Sequence, residues 1–229
     1  MWKARRLVFG GTGVVVALLW ILAVSAQETG VHPISGRRYA GVMGYQGADW
    51  LDREERDIEE APDKALAALD LKPGMTVADI GAGSGYMTVR LARLVGPEGK
   101  VYAADIQPQM IELLTKRLDR EKVTNVIPVL GAIDDPRLPA ESIDLMLLVD
   151  VYHEFSEPVK MLNGMRTALK PGGRLVLLEY RKEDPTVPIR FEHKMTVAEA
   201  KMEIEAAGFT LSKVDGRLPR QHILIFTKP

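Results

Sequence analysis

The chain has 229 residues, of which 46% are apolar and 27% are charged, and its formal net charge is −1. This composition is typical of one globular domain with a short appendage, not of a disordered or fibrous chain. The near-neutral charge gives no overall positive field that would attract nucleic acid. Because the chain contains no cysteine, thiolate nucleophiles, cysteine-ligated zinc and disulfides are excluded.

The first 29 residues are predicted to be a targeting segment. Lys3, Arg5 and Arg6 precede an uncharged stretch, residues 7–26, which is long enough to cross a bilayer and ends in compact side chains suited to a signal peptidase. Residues 1–29 are therefore predicted to be a signal peptide or an N-terminal membrane anchor, with the membrane or the export machinery as partner. The basic head favours an exported location for the remainder, periplasmic or anchored at the membrane.

Residues 30–60 are predicted to be an N-terminal extension that covers a site in the domain at 61–229. The extension is irregular and rich in glycine, and its acidic end, residues 52–60, has the pattern of a solvated helical face. Residues 61–71 have apolar side chains at helical spacing and are followed by Lys-Pro-Gly, a sequence that ends helices.

Strand and helix patterns then alternate. Strands are predicted at 76–80, 100–104, 126–130, 142–149, 174–179, 209–214 and 222–227, and helices at 86–95, 108–120, 159–169 and 197–207. Repeated strand–helix units with nearly continuous apolar strands indicate an α/β fold, a doubly wound and mostly parallel seven-stranded sheet with helices on both faces. The link before the final strand is too short for a parallel crossover, so the last strand is predicted to be antiparallel.

A glycine-rich turn joins the first strand to the next helix. Gly81, Gly83 and Gly85 have the spacing G-x-G-x-G, not the G-x-G-x-x-G of dinucleotide folds. Asp79 precedes the turn, where its negative charge disfavours a pyrophosphate and favours a ligand with an ammonium and a sulfonium. Asp105 ends the second strand, where an acid can accept hydrogen bonds from both ribose hydroxyls. The alternative is that Asp79 caps a turn and Asp105 merely ends a strand.

Residues 76–179, with D-x-G-x-G-x-G at 79–85, resemble the class I S-adenosylmethionine-dependent methyltransferases. The resemblance implies a Rossmann-like fold with S-adenosyl-L-methionine as cofactor, its methionine part held by the glycine turn, its ribose by Asp105 and its adenine against Ile106. The implied cofactor contacts are Asp79, Gly81, Ala82, Gly83, Gly85, Asp105, Ile106, Ala132, Asp134 and Asp150. A narrower likeness to exported bacterial methyltransferases of unassigned substrate rests on residues 48–51, 151–155, 179–185 and 193–195.

The methyl acceptor is predicted to lie at the carboxyl end of the fourth strand, where ligands of doubly wound sheets bind. That strand ends at Asp150 and is followed by the three predicted catalytic residues, Tyr152, His153 and Glu154. His153 is the predicted general base, because a neutral imidazole titrates near the working pH, and Glu154 would orient or replace it. The alternative is that His153 caps the next helix or hydrogen-bonds within its loop.

Several acceptors and sites are disfavoured by what the sequence lacks. The four histidines show no zinc-like spacing, so no metal site is predicted. The chain has no Pro-Pro-Tyr after Asp150, which a resemblance to adenine-N6 methyltransferases would require, no cysteine for cytosine C5 transfer and no basic–aromatic stripe for RNA. This leaves a small-molecule or lipid-like acceptor and no nucleic acid. Two other functions stay open: a non-catalytic S-adenosylmethionine-binding module, and an NAD-dependent oxidoreductase. No pattern predicts an oligomeric state.

Overall fold

A computed structural model describes residues 30–229 of the chain. The signal peptide or membrane anchor predicted for residues 1–29 lies outside the described residues. Within 30–229, no helix combines the length and the apolar character needed to cross a membrane.

The described residues form one seven-stranded sheet with the order β3-β2-β1-β4-β5-β7-β6. Strands β1 to β5 are parallel, and β7 runs antiparallel to both β5 and β6. The predicted doubly wound, mostly parallel sheet with an antiparallel last strand is therefore confirmed. The strands are β1 (Thr76–Ile80), β2 (Lys100–Asp105), β3 (Val126–Leu130), β4 (Ile143–Val149), β5 (Leu169–Tyr180), β6 (Thr210–Asp215) and β7 (Gln221–Thr227).

Helices cover both faces of this sheet, and residues 30–229 also contain three single-turn 3-10 helices. The helices are α1 (Ala48–Leu51), α2 (Arg56–Glu60), α3 (Pro62–Ala67), α4 (Tyr86–Val95), α5 (Pro108–Glu121), α6 (Pro158–Ala168) and α7 (Val197–Ala206). The 3-10 turns are Tyr45–Gly47, Tyr152–Glu154 and Phe191–His193. At α7 the sequence specifies the start of the helix, because Thr196 and Glu199 form a reciprocal capping box.

Successive residues of the central strand β4 pack into opposite layers of the core. Leu145 and Leu147 belong to the cluster that contains apolar residues of α3 and α4. Met146 and Leu148 belong to the cluster that contains residues of α6 and α7. Because side chains alternate along a strand and both faces are covered, β4 must be apolar at nearly every position.

Two local predictions were wrong. The predicted helix 159–169 and the predicted strand 174–179 are not separated by a turn at residues 170–173, Lys-Pro-Gly-Gly, because β5 already begins at Leu169, which pairs with Ile143. A register shift between Ile143 and Leu145 accommodates the extra residues within the paired strand. The acidic run 52–60 is also not a wholly solvated face, because Arg56 and Glu60 are buried and form an ion pair of 2.7 Å.

Candidate functional site

A cavity opens at the carboxyl ends of β1 to β4. Counted with its open mouth, it holds about 950 Å³ of space free of protein atoms. Each strand is followed by residues that line the cavity. These residues are Gly81 and Gly83 after β1, Asp105, Ile106 and Gln107 from the end of β2, Gly131 and Ala132 after β3, and Asp150, Val151 and Glu154 after β4.

The glycine turn after β1 leaves no room for side chains. Gly81 has a φ of +70°, and a Cβ atom there would lie 2.4 Å from Cγ2 of Val151. Gly83 has a φ of +55°, and its Cβ would lie 2.8 Å from Cδ1 of Leu51. The left-handed backbone and the close neighbours both require glycine, so backbone atoms form this wall of the cavity.

Asp105 connects the end of β2 to the glycine turn. Its Oδ2 accepts a hydrogen bond from the Gly83 N–H at 2.9 Å, and its Oδ1 accepts one from the Gln107 N–H, also at 2.9 Å. Burial raises the pKa of Asp105, while these backbone donors act in the opposite direction. The carboxylate therefore fixes the turn and still borders the cavity.

Asp79 lies outside the cavity wall. Its Oδ2 accepts a hydrogen bond from the hydroxyl of Thr88, one helical turn into α4, at 2.6 Å. Burial raises the pKa of Asp79 to about 6, despite the opposing effect of that hydrogen bond. The sequence placed Asp79 against the methionine part of the cofactor, whereas the structure places its carboxylate against α4. The remaining members of the turn, Ala82 and Gly85, also lie outside the residues that line the cavity.

Asp150 presents an unpaired oxygen at the end of β4. The residue has a left-handed φ of +53°, which is uncommon for a residue other than glycine. Its Oδ2 accepts a hydrogen bond from Nε2 of Gln221 at 2.6 Å, whereas Oδ1 is buried and has no hydrogen-bond partner among residues 30–229. Burial raises the pKa of Asp150 well above its ordinary value, and Glu60 and Glu179 raise it further. A buried carboxylate oxygen without a partner is a strong candidate for a ligand contact.

The residues predicted to flank adenine are divided between the cavity and the surface. Ile106 and Ala132 line the cavity together with the apolar side chains of Met110 and Ile133. Asp134 lies outside this wall, where its Oδ2 is 3.9 Å from Nζ of Lys160 in an exposed ion pair.

The N-terminal extension contributes Val42, Met43 and Leu51 to the cavity wall. Gln107 holds this segment through its backbone, because its Nε2 donates to the Met43 carbonyl at 2.9 Å and its Oε1 accepts from the Tyr45 N–H at 2.9 Å. The Met43 N–H also donates to Oε1 of Glu154 at 3.3 Å. These contacts place the extension over the ends of β2 and β4.

His153 lies behind the cavity wall, between two partners. Its Nδ1 donates a hydrogen bond to Oε2 of Glu179 at 2.6 Å, and its Nε2 is 3.2 Å from Nδ1 of His193. Burial lowers the pKa of His153, but the Glu179 carboxylate more than offsets this effect and the pKa lies above its ordinary value. The pKa of His193 is lowered by burial and by His153.

The two neighbours of His153 have different environments. Glu154 lines the cavity, and burial raises its pKa to about 7 against the opposing effect of His153. Tyr152 is fully buried outside the wall, with its hydroxyl 3.5 Å from Nε2 of His32 and its N–H donating to Oε1 of Glu179 at 3.0 Å. Of the three predicted catalytic side chains, the structure therefore places only that of Glu154 at the cavity.

Sequence reasoning missed several residues of this site. Glu179 appeared only within a likeness motif, although an acid at the end of a strand that neighbours β4 is a detectable signal. The sequence did not indicate roles for Gln107 and Gln221, because single amide side chains are common at strand ends. The prediction of no metal site rested on the spacing of the histidines along the chain. That spacing is not decisive, because the fold brings His153 into contact with His193, 40 positions later in the sequence.

Comparison with known proteins identifies the family. Residues 71–215 match the family model described as "Methyltransferase domain". The ubiquinone/menaquinone biosynthesis C-methyltransferase UbiE of Shewanella oneidensis is 34% identical over 112 residues, which are 48% of this chain and 45% of the relative. The same enzyme of Vibrio campbellii is 34% identical, over 48% of this chain and 43% of the relative. The aligned part is thus less than half of these curated relatives.

Solved structures with the same fold extend over more of the chain. The structure of a SAM-dependent methyltransferase from Aquifex aeolicus superposes with a TM-score of 0.76 and 27% identity, over 81% of this chain and 98% of that chain. The cyclase SpnF, at 16% identity and a TM-score of 0.64 over 86% of this chain and 89% of that chain, shows the fold alone. The sheet, the glycine turn and the family match agree, and this chain belongs to the methyltransferase domain family.

Proposed function

We propose that this protein is an S-adenosylmethionine-dependent methyltransferase that acts on a small-molecule acceptor. Membership of the methyltransferase domain family supports the reaction, and the likeness to the Aquifex aeolicus enzyme supports the cofactor. The observation that carries the proposal is the unpaired Oδ1 of Asp150, buried in the cavity wall beside the glycine turn. An ammonium group is the partner that this carboxylate lacks, and a pyrophosphate would be repelled there.

The other residues of the wall fit the remaining parts of this cofactor. Asp105 borders the cavity, and each of its oxygens has a second lone pair for a ribose hydroxyl beside the backbone N–H it already accepts. Ile106, Met110 and Ala132 supply an apolar surface for adenine. When bound, S-adenosylmethionine supplies an electrophilic methyl group on a sulfonium whose sulfur keeps the electron pair of the broken bond.

Glu154 is the side chain that we assign to the acceptor. It lines the cavity, and Met43 orients it by donating to Oε1, which leaves Oε2 to accept a proton from an acceptor hydroxyl. His153 helps to position the neighbouring Glu154, because its imidazole is held between Glu179 and His193 behind the cavity wall. Holding the acceptor and the methyl donor in line supplies most of the catalysis, up to roughly 7–11 kcal/mol in well-aligned reactions.

The acceptor that we propose is small and partly apolar. Val42 and Met43 of the extension and Phe155 after β4 line the cavity with apolar side chains. The net charge of −1 gives no attraction to a polyanion, so we propose that nucleic acid is not the acceptor. The relatives named for quinone biosynthesis match this chain over less than half their length, and their acceptor is one candidate to include in a screen.

Calorimetry and a transfer assay test this function against the two alternatives. We expect S-adenosylmethionine and S-adenosylhomocysteine to bind and NAD not to bind. Labelled methyl transfer to a panel of small acceptors should then fall at least about 10-fold in Glu154→Gln, as for loss of a proton acceptor, and be unchanged in Glu192→Gln, a change at an exposed residue. Binding without transfer to any acceptor would favour a non-catalytic module, and NAD binding would favour an oxidoreductase.

We also propose that residues 1–29 export or anchor the domain at the outer side of a membrane. The support is the basic head followed by the uncharged stretch at 7–26. Cell fractionation with protease protection tests it. We expect external protease to digest the domain in intact spheroplasts. Full protection of the domain would contradict the proposal. If the domain became accessible only after Lys3, Arg5 and Arg6 were replaced by glutamate, the unmodified chain would have the opposite orientation, with the domain on the inner side.

A further inference from the structure

Two histidines and a glutamate form a cluster next to the cavity, and of the three only the glutamate, Glu154, lines the cavity wall. Nε2 of His153 is 3.2 Å from Nδ1 of His193, which is 3.8 Å from Oε1 of Glu154. One ligand atom from each of the three residues lies within 4.8 Å of the other two. His153 and Glu154 belong to the turn after β4, and His193 to the turn before α7, so the fold assembles the cluster from two separate connections.

The separation of the two imidazole nitrogens is that of neighbouring ligands around a single ion. Zinc bonds to histidine nitrogen are about 2.0–2.1 Å long, so neighbouring ligands of a tetrahedral site lie about 3.3 Å apart. The two imidazole nitrogens, 3.2 Å apart, already have this separation, whereas Oε1 of Glu154, 3.8 Å from Nδ1 of His193, has to move closer. We propose that His153, Glu154 and His193 bind a divalent transition-metal ion of the zinc type.

Glu179 supports this assignment from behind His153. It accepts the Nδ1 proton at 2.6 Å, which leaves the Nε2 lone pair directed at His193. A carboxylate that fixes the tautomer of a histidine is the usual outer partner of a metal-binding imidazole. The other oxygen of Glu179 accepts the Tyr152 N–H at 3.0 Å, so the carboxylate is itself held in place.

The charges and the exposure of the cluster suit a bound cation. Glu154 and Glu179 bring two carboxyl groups to the cluster, and the nearby Arg37 is already paired with Glu203 through two hydrogen bonds. The side chains of His193 and Glu154 are 24% and 11% exposed, which gives an ion a path to the cluster. Three protein ligands with an open side are the arrangement of catalytic rather than structural zinc sites.

The role of the ion follows from the position of Glu154, which belongs both to the cluster and to the cavity wall. This role rests on the proposed methyltransferase function. The open position would bind an oxygen atom of the acceptor and lower the pKa of its hydroxyl, while Oε2 of Glu154 accepts the proton. The proposed acceptor class is therefore a small molecule with a hydroxyl, enol or carboxyl oxygen next to the methylated atom.

The experiment uses the full chain without a polyhistidine tag, stripped with a chelator and titrated with Zn²⁺ in a calorimeter. We expect one ion per chain. His193→Ala should weaken binding at least about 10-fold, and Glu179→Gln should weaken it by roughly 10- to 100-fold, as for other outer partners. His222→Ala is the matched control, because His222 pairs with Glu183 at 2.9 Å outside the cluster, and its affinity should equal that of the unmodified chain.

Two further measurements separate the possible outcomes. Co²⁺ loaded in place of Zn²⁺ should give the strong visible bands of a low-coordinate site, and these bands should disappear in His193→Ala. S-adenosylhomocysteine binding and circular dichroism are measured on the same samples to establish folding. Retained S-adenosylhomocysteine binding without Zn²⁺ uptake, or equal Zn²⁺ affinity in His193→Ala, would overturn the metal site alone. Zn²⁺ uptake without S-adenosylhomocysteine binding would overturn the proposed function alone.

Discussion

Arg37 and Glu203 form a buried ion pair that joins the N-terminal extension to α7. Nε of Arg37 donates to Oε1 of Glu203 at 3.0 Å, and its Nη2 donates to Oε2 at 2.9 Å. The third nitrogen, Nη1, donates to the carbonyl of His153 at 3.1 Å. One guanidinium thus links the extension, the last helix and the turn that carries His153 and Glu154.

Replacing Arg37 by alanine should strongly destabilise the protein. The change leaves the Glu203 carboxylate buried without its charged partner, and breaking buried pairs in this way costs about 3–5 kcal/mol. Urea unfolding measures the difference in free energy. Arg38→Ala, at the neighbouring exposed position, is the control and should change the stability by less than about 0.5 kcal/mol. Similar losses in both variants would show that the pair does not hold the extension.

Replacing Asp150 by asparagine should remove the proposed contact with the ammonium group while leaving the fold intact. Asparagine can still accept the Gln221 hydrogen bond through its carbonyl oxygen. A charge-assisted hydrogen bond is worth about 1.5–3 kcal/mol, so the dissociation constant of S-adenosylmethionine should rise by roughly 10- to 100-fold. Calorimetry measures this change, and the exposed Asp134→Asn is the control. An unchanged affinity in Asp150→Asn would rule out the contact.

The pKa of Asp79 predicts a specific pH dependence of stability. Burial raises this pKa from 3.8 to about 6, so the folded state holds the proton more tightly than the unfolded state. Stability from this group is therefore fully present below about pH 4 and is lost as the pH rises through 6, by about 3 kcal/mol.

Two variants test the assignment to Asp79. Asp79→Asn should flatten the dependence between pH 4 and 6 relative to the unmodified chain, and urea unfolding at each pH measures it. Thr88→Val removes the hydroxyl that lowers the pKa of Asp79 and should extend the loss to higher pH. Parallel curves for Asp79→Asn and the unmodified chain would mean that another group titrates in this range.

Alanine at Gly81 should destabilise the glycine turn more than alanine at Gly74. Both residues have a positive φ, +70° and +83°, so both variants lose about 1–2 kcal/mol from the left-handed backbone. Only at Gly81 does the added Cβ meet a neighbour, Val151, which should cost roughly 1–3 kcal/mol more. Unfolding free energies measure the difference, and equal losses would mean that Val151 moves aside without strain.

The fold was predictable because its determinants are local. Strands such as β3 and β4 are apolar at nearly every position, and each connection is either long enough for a helix or too short for one. The order of elements and the reversed last strand therefore follow from the sequence. The Lys-Pro-Gly-Gly segment at 170–173 was wrongly interpreted as a turn before the strand, because glycine and proline occur in irregular strands as well as in turns. Whether Leu169 pairs with Ile143 is decided by the neighbouring strand.

The site was predictable only in part, because side-chain direction depends on distant partners. The sequence places Asp79 and Asp105 beside the glycine turn but does not show where their carboxylates point. In the fold, the hydroxyl of Thr88 binds the Asp79 carboxylate away from the cavity. The backbone N–H groups of Gly83 and Gln107 hold the Asp105 carboxylate at the cavity. The pairing of His153 with His193 depends on two connections brought to one edge of the sheet. The spacing of residues within either connection therefore cannot predict this pairing.

The attachment of the extension through Gln107 has a consequence for how such a protein can change during evolution. Both groups of that amide bind main-chain atoms, the carbonyl of Met43 and the N–H of Tyr45, and main-chain atoms are the same whichever amino acid occupies those positions. The side chains that face the acceptor can therefore be replaced without detaching the segment that carries them. Selection for a new acceptor has a short stretch of chain to work on, and the cofactor half of the cavity need not be altered.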